Sequence, residues 1–134
     1  MLKSIKHIQR TLTTEELVVQ SPLKSECRVV NIGSLDGGGT HWICYWLDDG
    51  KAYIFDSFGL PPDDRLVTYL NRSKPNKPNI YYNDSQLQSV SSIKCGYFCV
   101  HLLRHLAKGI SPYDVIYQFT QHPSEWNENI IMHN

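Results

Sequence analysis

An α+β domain, with a small mixed or antiparallel sheet packed against helices, is the fold class this sequence predicts. Three observations carry the prediction. Trp42 to Leu47 and Lys51 to Asp56 are rich in aromatic and β-branched residues, and Asp48-Asp49-Gly50 between them is hairpin-turn chemistry. From Cys95 onward, Phe98, Cys99, Leu102, Leu103 and Leu106 recur with helical period. The elements follow in the order strand, hairpin, helix, strand, helix, helix, with no internal repeat and no low-complexity stretch.

Taken along the chain, residues 5–19 predict a helix, because Thr13-Thr14-Glu15-Glu16 reads as a cap followed by first-turn acids. Val29 to Ile32 is a short strand, and the glycine-rich run Gly33 to Thr40 is a loop. Pro61-Pro62-Asp63-Asp64 opens a helix that runs to about Leu70, with proline early and acids where the helix dipole favours them. Asn71 to Asn79, with two prolines and several polar residues, is a surface loop, and Ile80 to Asn83 a further strand. The Cys95 helix extends to about Lys108, where Gly109 ends it. Ser111-Pro112-Tyr113-Asp114 caps a last helix to about Phe119, and a tail follows Pro123.

The 134 residues suffice for one domain, 1–134, with a real core. Thirteen basic and thirteen acidic residues cancel, so nothing points to the phosphate footprint of a nucleic-acid binder. No apolar stretch is long enough to span a membrane. Met1 to Lys6 lacks the apolar core of a signal peptide. Without a secretion signal, the four cysteines (Cys27, Cys44, Cys95 and Cys99) are expected to be free thiols. The expected location is therefore intracellular, in host cytoplasm or nucleus, or in a virion.

Cys95 is the residue that suggests chemistry. A cysteine in the first turn of a helix faces unpaired backbone N–H groups and the positive end of the helix dipole, and both favour thiolate. A nucleophilic thiol needs a base, an orienter for that base and oxyanion donors. His41, where a strand begins after Gly37-Gly38-Gly39-Thr40, would expose its imidazole at a sheet edge, and the glycines would let a substrate backbone approach. Asp56 ends the partner strand of the hairpin, which makes it a neighbour of His41. Gln88 stands seven residues before Cys95, where its amide could complete an oxyanion hole with the Cys95 N–H; Gln86 is the rival for that role. Cys99 and Cys44 read as core. Cys95, Cys99, His101 and His105 invite a metal reading, but Cys95 and Cys99 lie on a different helix face from His101, and no ligand follows at zinc-site spacing; no metal and no cofactor are expected.

His41-Trp42, the run Tyr53-Ile54-Phe55-Asp56-Ser57-Phe58-Gly59, Gln88 and Cys95-Gly96-Tyr97-Phe98-Cys99, in that order, resemble the adenovirus-type cysteine proteases, the adenain family. Its wider clan includes the Ulp1/SENP proteases that act on ubiquitin-like proteins. The wording Phe58-Gly59-Leu60-Pro61-Pro62 and Ile80-Tyr81-Tyr82-Asn83 is similar to proteases of Polinton/Maverick elements and related adenovirus-like viruses. The resemblance covers about Cys27 to Leu106; residues 1–26 match poorly and 121–134 form a tail. It implies a papain-like fold, with Cys95 as nucleophile, His41 as base, Asp56 as third member and Gln88 as oxyanion donor. Gly38, Gly39, Trp42 and Gly96 are the candidate substrate-binding residues. Asp56 stands where adenoviral members commonly carry Glu.

The expected function is a thiol endopeptidase that processes viral or mobile-element precursors, capsid proteins included, near Gly-containing sites. It would act as a monomer on a protein substrate. The resemblance brings an activating peptide or DNA into view as partners. A ubiquitin-like-protein isopeptidase and an inactive protein-binding module derived from such a protease are the alternatives.

Overall fold

In the computed structural model, the residues described are 8–32, 41–84, 86–87 and 95–120. The elements are β1 (Leu12–Thr13), α1 (Thr14–Leu17), β2 (Glu26–Ile32), β3 (His41–Asp48), β4 (Lys51–Phe55), α2 (Asp64–Leu70), β5 (Asn79–Tyr82), α3 (Cys95–Ala107) and α4 (Pro112–Thr120). The strands form one mixed sheet in the order β1-β2-β3-β4-β5. β2, β3 and β4 are antiparallel, and the two outer strands join in parallel.

Alternation along β3 divides the core in two, because successive side chains of a strand point to opposite faces. Cys44 and Trp46, with Cys27 and Phe55, meet the apolar stripes of α3 and α4: Phe98, Cys99, Leu102, Leu106, Val115 and Phe119. Ile43, Tyr45 and Leu47, with Val30 and Ile54, meet Leu17 of α1 and Leu66, Tyr69 and Leu70 of α2. Cys44 and Cys99 are fully buried, as expected of core residues. Asp63 caps α2 by accepting the Arg65 N–H at 2.8 Å. α3 ends where anticipated. Gly109 takes a φ of 87°, and the N–H groups of Gly109 and Ile110 bond back to the carbonyls of Leu106 and His105.

The helix expected over 5–19 is corrected. Leu12 and Thr13 instead pair in parallel with Val30 and Asn31, Ile8 bridges Cys27, and among the described residues of that span only Thr14–Leu17 is helical. The cap at Thr13 is real: its hydroxyl accepts the Glu16 N–H and the Glu16 carboxylate answers to the Thr13 N–H. A cap marks where a helix starts, and the β-branched residues before it follow strand propensity. Residues 1–7, the tail beyond 120 and the glycine loop 33–40 lie outside the described residues.

The α3–α4 interface holds a buried histidine. His101 is 6% exposed, its ring 4.1 Å from His105 and 5.2 Å from Phe119. Its Nε2 is buried without a hydrogen-bond partner among the described residues. Burial, then the charges of His105 and Lys108, lower its pKa to about 4. The unfolded chain, with an ordinary histidine near 6.5, thus binds more protons between those two values, and stability rises with pH there. The contribution is whole above pH 6.5 and fades as pH falls toward 4. At full size it is at most about 3 kcal/mol. Urea titrations at pH 7 and pH 5 check this: His101→Gln should shrink the difference between the two midpoints, and an unchanged difference would refute the assignment.

Candidate functional site

α3 packs on β3, and this contact brings the first residue of the helix to the first residues of the strand. Cys95 is buried, and its Sγ accepts the backbone N–H of Trp42 at 3.2 Å and that of Gly96. His41 Nε2 lies 2.8 Å from Asp56 Oδ1. With Nε2 occupied, Nδ1 is the ring nitrogen left to face the thiol of Cys95, the group that shares with Asp56 in setting the titration of His41. That Nδ1 is buried and makes no hydrogen bond among the described residues.

β3 is the middle strand of the sheet, so His41 sits at the end of the sheet and not at its edge. The β3–β4 register pairs Cys44 with Phe55; continued past the end of β4, it sets Phe58 opposite His41 and leaves Asp56 diagonal to it. The rings of Phe58 and His41 are 4.8 Å apart at 33°. The Phe58 N–H donates to Asp56 Oδ1 at 2.8 Å, on the same oxygen that holds the imidazole. One carboxylate oxygen thus fixes both the histidine and the turn that carries the covering phenyl ring.

The electrostatics follow from these contacts. Burial works against the imidazolium. Hydrogen bonds to Asp56 and Cys95, together with their negative charges, outweigh it and lift the His41 pKa to about 9. Burial likewise works against the Cys95 thiolate. The His41 hydrogen bond, the Trp42 N–H, the imidazolium charge and the Gly96 N–H prevail, and the thiol is held below its ordinary value. The other cysteines contrast with it. Burial, with Cys44 and Glu26 nearby, pushes Cys27 up to about 12, and burial beside Cys44 raises Cys99 well above the usual thiol range. The Cys95 sulfur is thus biased toward thiolate beside His41, one helical turn from the buried Cys99, whose thiol is biased the other way.

The structure brings together Cys95, His41, Asp56, Trp42 and Gly96 among the residues singled out in the sequence. Gly96 lies under the indole: a Cβ there would stand 3.8 Å from Trp42 Cδ1 and Cγ, an ordinary contact. Gln88, Gly38 and Gly39 lie outside the described residues. Gln86 is described, and exposed, and the neighbouring Leu87 N–H ties this segment to the Ser57 carbonyl at 2.7 Å. Two residues of the site were missed by sequence reasoning. Phe58 reads as one more sheet aromatic until the register is extended. Asn83 bonds the backbone of Asp56 from the end of β5. An asparagine just past an apolar strand was its only signal. Among the described residues, no group of three or more His, Cys, Asp or Glu converges as metal ligands would, and no helix is long and apolar enough to cross a membrane.

A mixed sheet backed by helices, with a polarised cysteine at a helix start facing a carboxylate-held histidine, is a papain-like α+β architecture of the adenain-like kind. The profile of the adenovirus endoprotease family matches residues 18–112, and the chain belongs to that family. The protease of bovine adenovirus C serotype 10 is 32% identical over 94 residues, covering 60% of this chain and 48% of that protein. The protease of bovine adenovirus 7 is 30% identical over 96 residues, covering 60% and 46%. The match thus spans about half the length of these relatives. In fold, the chain is similar to a crystal structure of an ASFV protease, with a TM-score of 0.56 at 17% identity over 79% of this chain and 42% of that one.

Proposed function

We propose that this chain is the catalytic domain of a thiol endopeptidase that cuts viral or mobile-element precursor proteins, capsid components among them. The observation that carries the reading is the relay Asp56–His41–Cys95, with its 2.8 Å carboxylate–imidazole contact and a thiol held below its ordinary pKa. Family membership supports proteolysis as its use.

In this reading, the Cys95 thiolate attacks the scissile carbonyl carbon and the carbonyl π electrons move to oxygen. The Cys95 N–H and the Gln88 amide hold the oxyanion. His41, already an imidazolium, gives its proton to the departing amine as the C–N bond breaks, leaving a thioester on Cys95. Neutral His41 then takes a proton from water, whose oxygen attacks the thioester, and the acid leaves as the thiolate reforms. Asp56 keeps the imidazole turned so that Nδ1 faces sulfur throughout. Gly38, Gly39, Trp42 and Gly96 would form the substrate approach, where small residues such as Gly fit beside the cut. The domain is read as a monomer occupying residues 1–134. Its free cysteines support a reducing setting, host cytoplasm or nucleus, with the virion as the further location.

The test is iodoacetamide labelling across pH, read at each cysteine by mass spectrometry. Cys95 should label fastest, well below pH 8, losing rate as acid protonates its thiolate, and His41→Ala should abolish the advantage. If Cys95 labels no faster than Cys27, Cys44 or Cys99, the thiol is unactivated and an inactive binding module becomes the better account. A peptide-library cleavage profile without Gly preference would remove the specificity claim. Reaction with a ubiquitin-type C-terminal electrophile would move the substrate to ubiquitin-like proteins.

A further inference from the structure

Asp56 has no ladder partner of its own. β4 ends at Phe55 and β5 at Tyr82, and the last parallel pair between them is Ile54 with Tyr82. One residue further, the pairing is continued by a side chain. The Asp56 N–H donates to Asn83 Oδ1 at 2.9 Å, and Asn83 Nδ2 donates to the Asp56 carbonyl at 2.6 Å. A carboxamide presents one acceptor and one donor side by side, which is the pattern a neighbouring strand would offer. Asn83 is 7% exposed, Asp56 5%. One planar group therefore meets both backbone groups of Asp56 in a buried setting, while the carbonyl also accepts the Gly59 N–H at 2.8 Å.

We propose that Asn83 is a positioning residue of the site, acting through Asp56: its amide fixes the backbone from which the carboxylate reaches His41. The proposal rests on the catalytic reading of Cys95, His41 and Asp56. The geometry explains why an amide and no apolar residue stands there. Without it, the Asp56 N–H is buried and unpaired while the carbonyl keeps only the Gly59 N–H, and the turn through Ser57 and Phe58 is free to move to find water. Oδ1 would then leave the imidazole, and Phe58, which bonds the same oxygen, would move with it. Asp56 and Cys95 are the titratable groups that raise the His41 pKa, Asp56 first, so loosening Asp56 weakens what keeps the imidazole protonated.

The experiment measures Cys95 alkylation and peptide turnover across pH in wild type, Asn83→Ala, Asp56→Ala and the double variant. Asn83→Ala should slow alkylation at pH 7 about tenfold, the cost of a misplacement well under an ångström. The pH at which the ion pair is lost on the alkaline side should fall from near 9 toward the ordinary histidine value. In the Asp56→Ala background the same substitution should add nearly nothing, since it acts through Asp56. A purely structural role predicts the opposite: additive losses and an unshifted alkaline limb. Asn83→Asp, which keeps the size but sets an acceptor oxygen against the Asp56 carbonyl where Asn83 donates, should be impaired at least as much as Asn83→Ala. If Asn83→Ala does not fold, the Asn83→Asp cycle with Asp56→Ala decides in the same way. Wild-type rates and pH profile in Asn83 variants, with His41→Ala still inactive, overturn this proposal alone. Fast alkylation absent from wild type itself overturns the catalytic reading beneath it.

Discussion

Cys95→Ala removes turnover, a loss on the order of 10^4- to 10^6-fold, and leaves the fold standing. Chemically, no other sulfur can substitute: Cys99, one turn away, is fully buried and its thiol is raised far above neutrality, and Cys44 is fully buried on β3. Structurally, the change deletes one small group at a buried position, and the Trp42 and Gly96 N–H groups lose only weak bonds to sulfur. The melting temperature should therefore move by only a few degrees. His41→Ala should cost nearly as much, and Asp56→Ala less, since the carboxylate orients the base without touching substrate. The double variant Cys95→Ala/His41→Ala should be no worse than either single one, because the pair acts as a unit. The measurement is peptide hydrolysis with active-site titration. Comparable turnover in Cys95→Ala would end the assignment.

Glu26→Ala should destabilise the fold by about 3–5 kcal/mol, the range for removing one partner from a buried charged network. Glu26 is 2% exposed at the start of β2. Its Oε2 accepts the Tyr69 hydroxyl at 2.6 Å and the Tyr45 hydroxyl in a very short contact, and Arg28 stands 3.5 Å away. Its Oε1 accepts the Leu23 N–H at 2.7 Å. Alanine would leave two phenol donors without this acceptor and take the counter-charge from Arg28, which keeps its bonds to the Tyr45 hydroxyl and the Arg10 carbonyl. Against a typical total of about 5–15 kcal/mol, such a loss decides whether the chain is folded at body temperature. Glu26→Gln keeps size and one acceptor and should cost about half as much. Urea denaturation measures both; a midpoint for Glu26→Ala that matches wild type would show that the network contributes nothing net. Glu26 pairs with Leu47, at the opposite end of β3 from His41, so activity per folded molecule should survive.

These two results separate what a sequence exposes from what it conceals. The hairpin, α2, α3 and α4 were legible because their signals are local: turn residues at Asp48 to Gly50, the Pro61 to Asp64 run before α2, Gly109 as stop. Cys95, His41 and Asp56 were legible because strand ends and helix starts can be placed from those same signals. β1 was not, since a two-residue strand has no period, and the capping residues of Thr13 to Glu16 favoured helix over the pairing with Val30. Asn83, Phe58 and Glu26 were not legible either, and for a different reason. Each owes its role to a partner far along the chain: Asn83 to Asp56 across 27 residues, Glu26 to Tyr69 across 43. No neighbouring residue announces such a pair.

The bond from the Trp42 N–H to the Cys95 sulfur closes a span of 53 residues. The imidazole and the carboxylate belong to the hairpin, whereas the amide that seats Asp56 and the helix that carries the sulfur come later in the chain. On the reading proposed above, a ribosome therefore delivers the nucleophile last, and no cutting chemistry is assembled while the molecule is still unfolded and most exposed to its own kind.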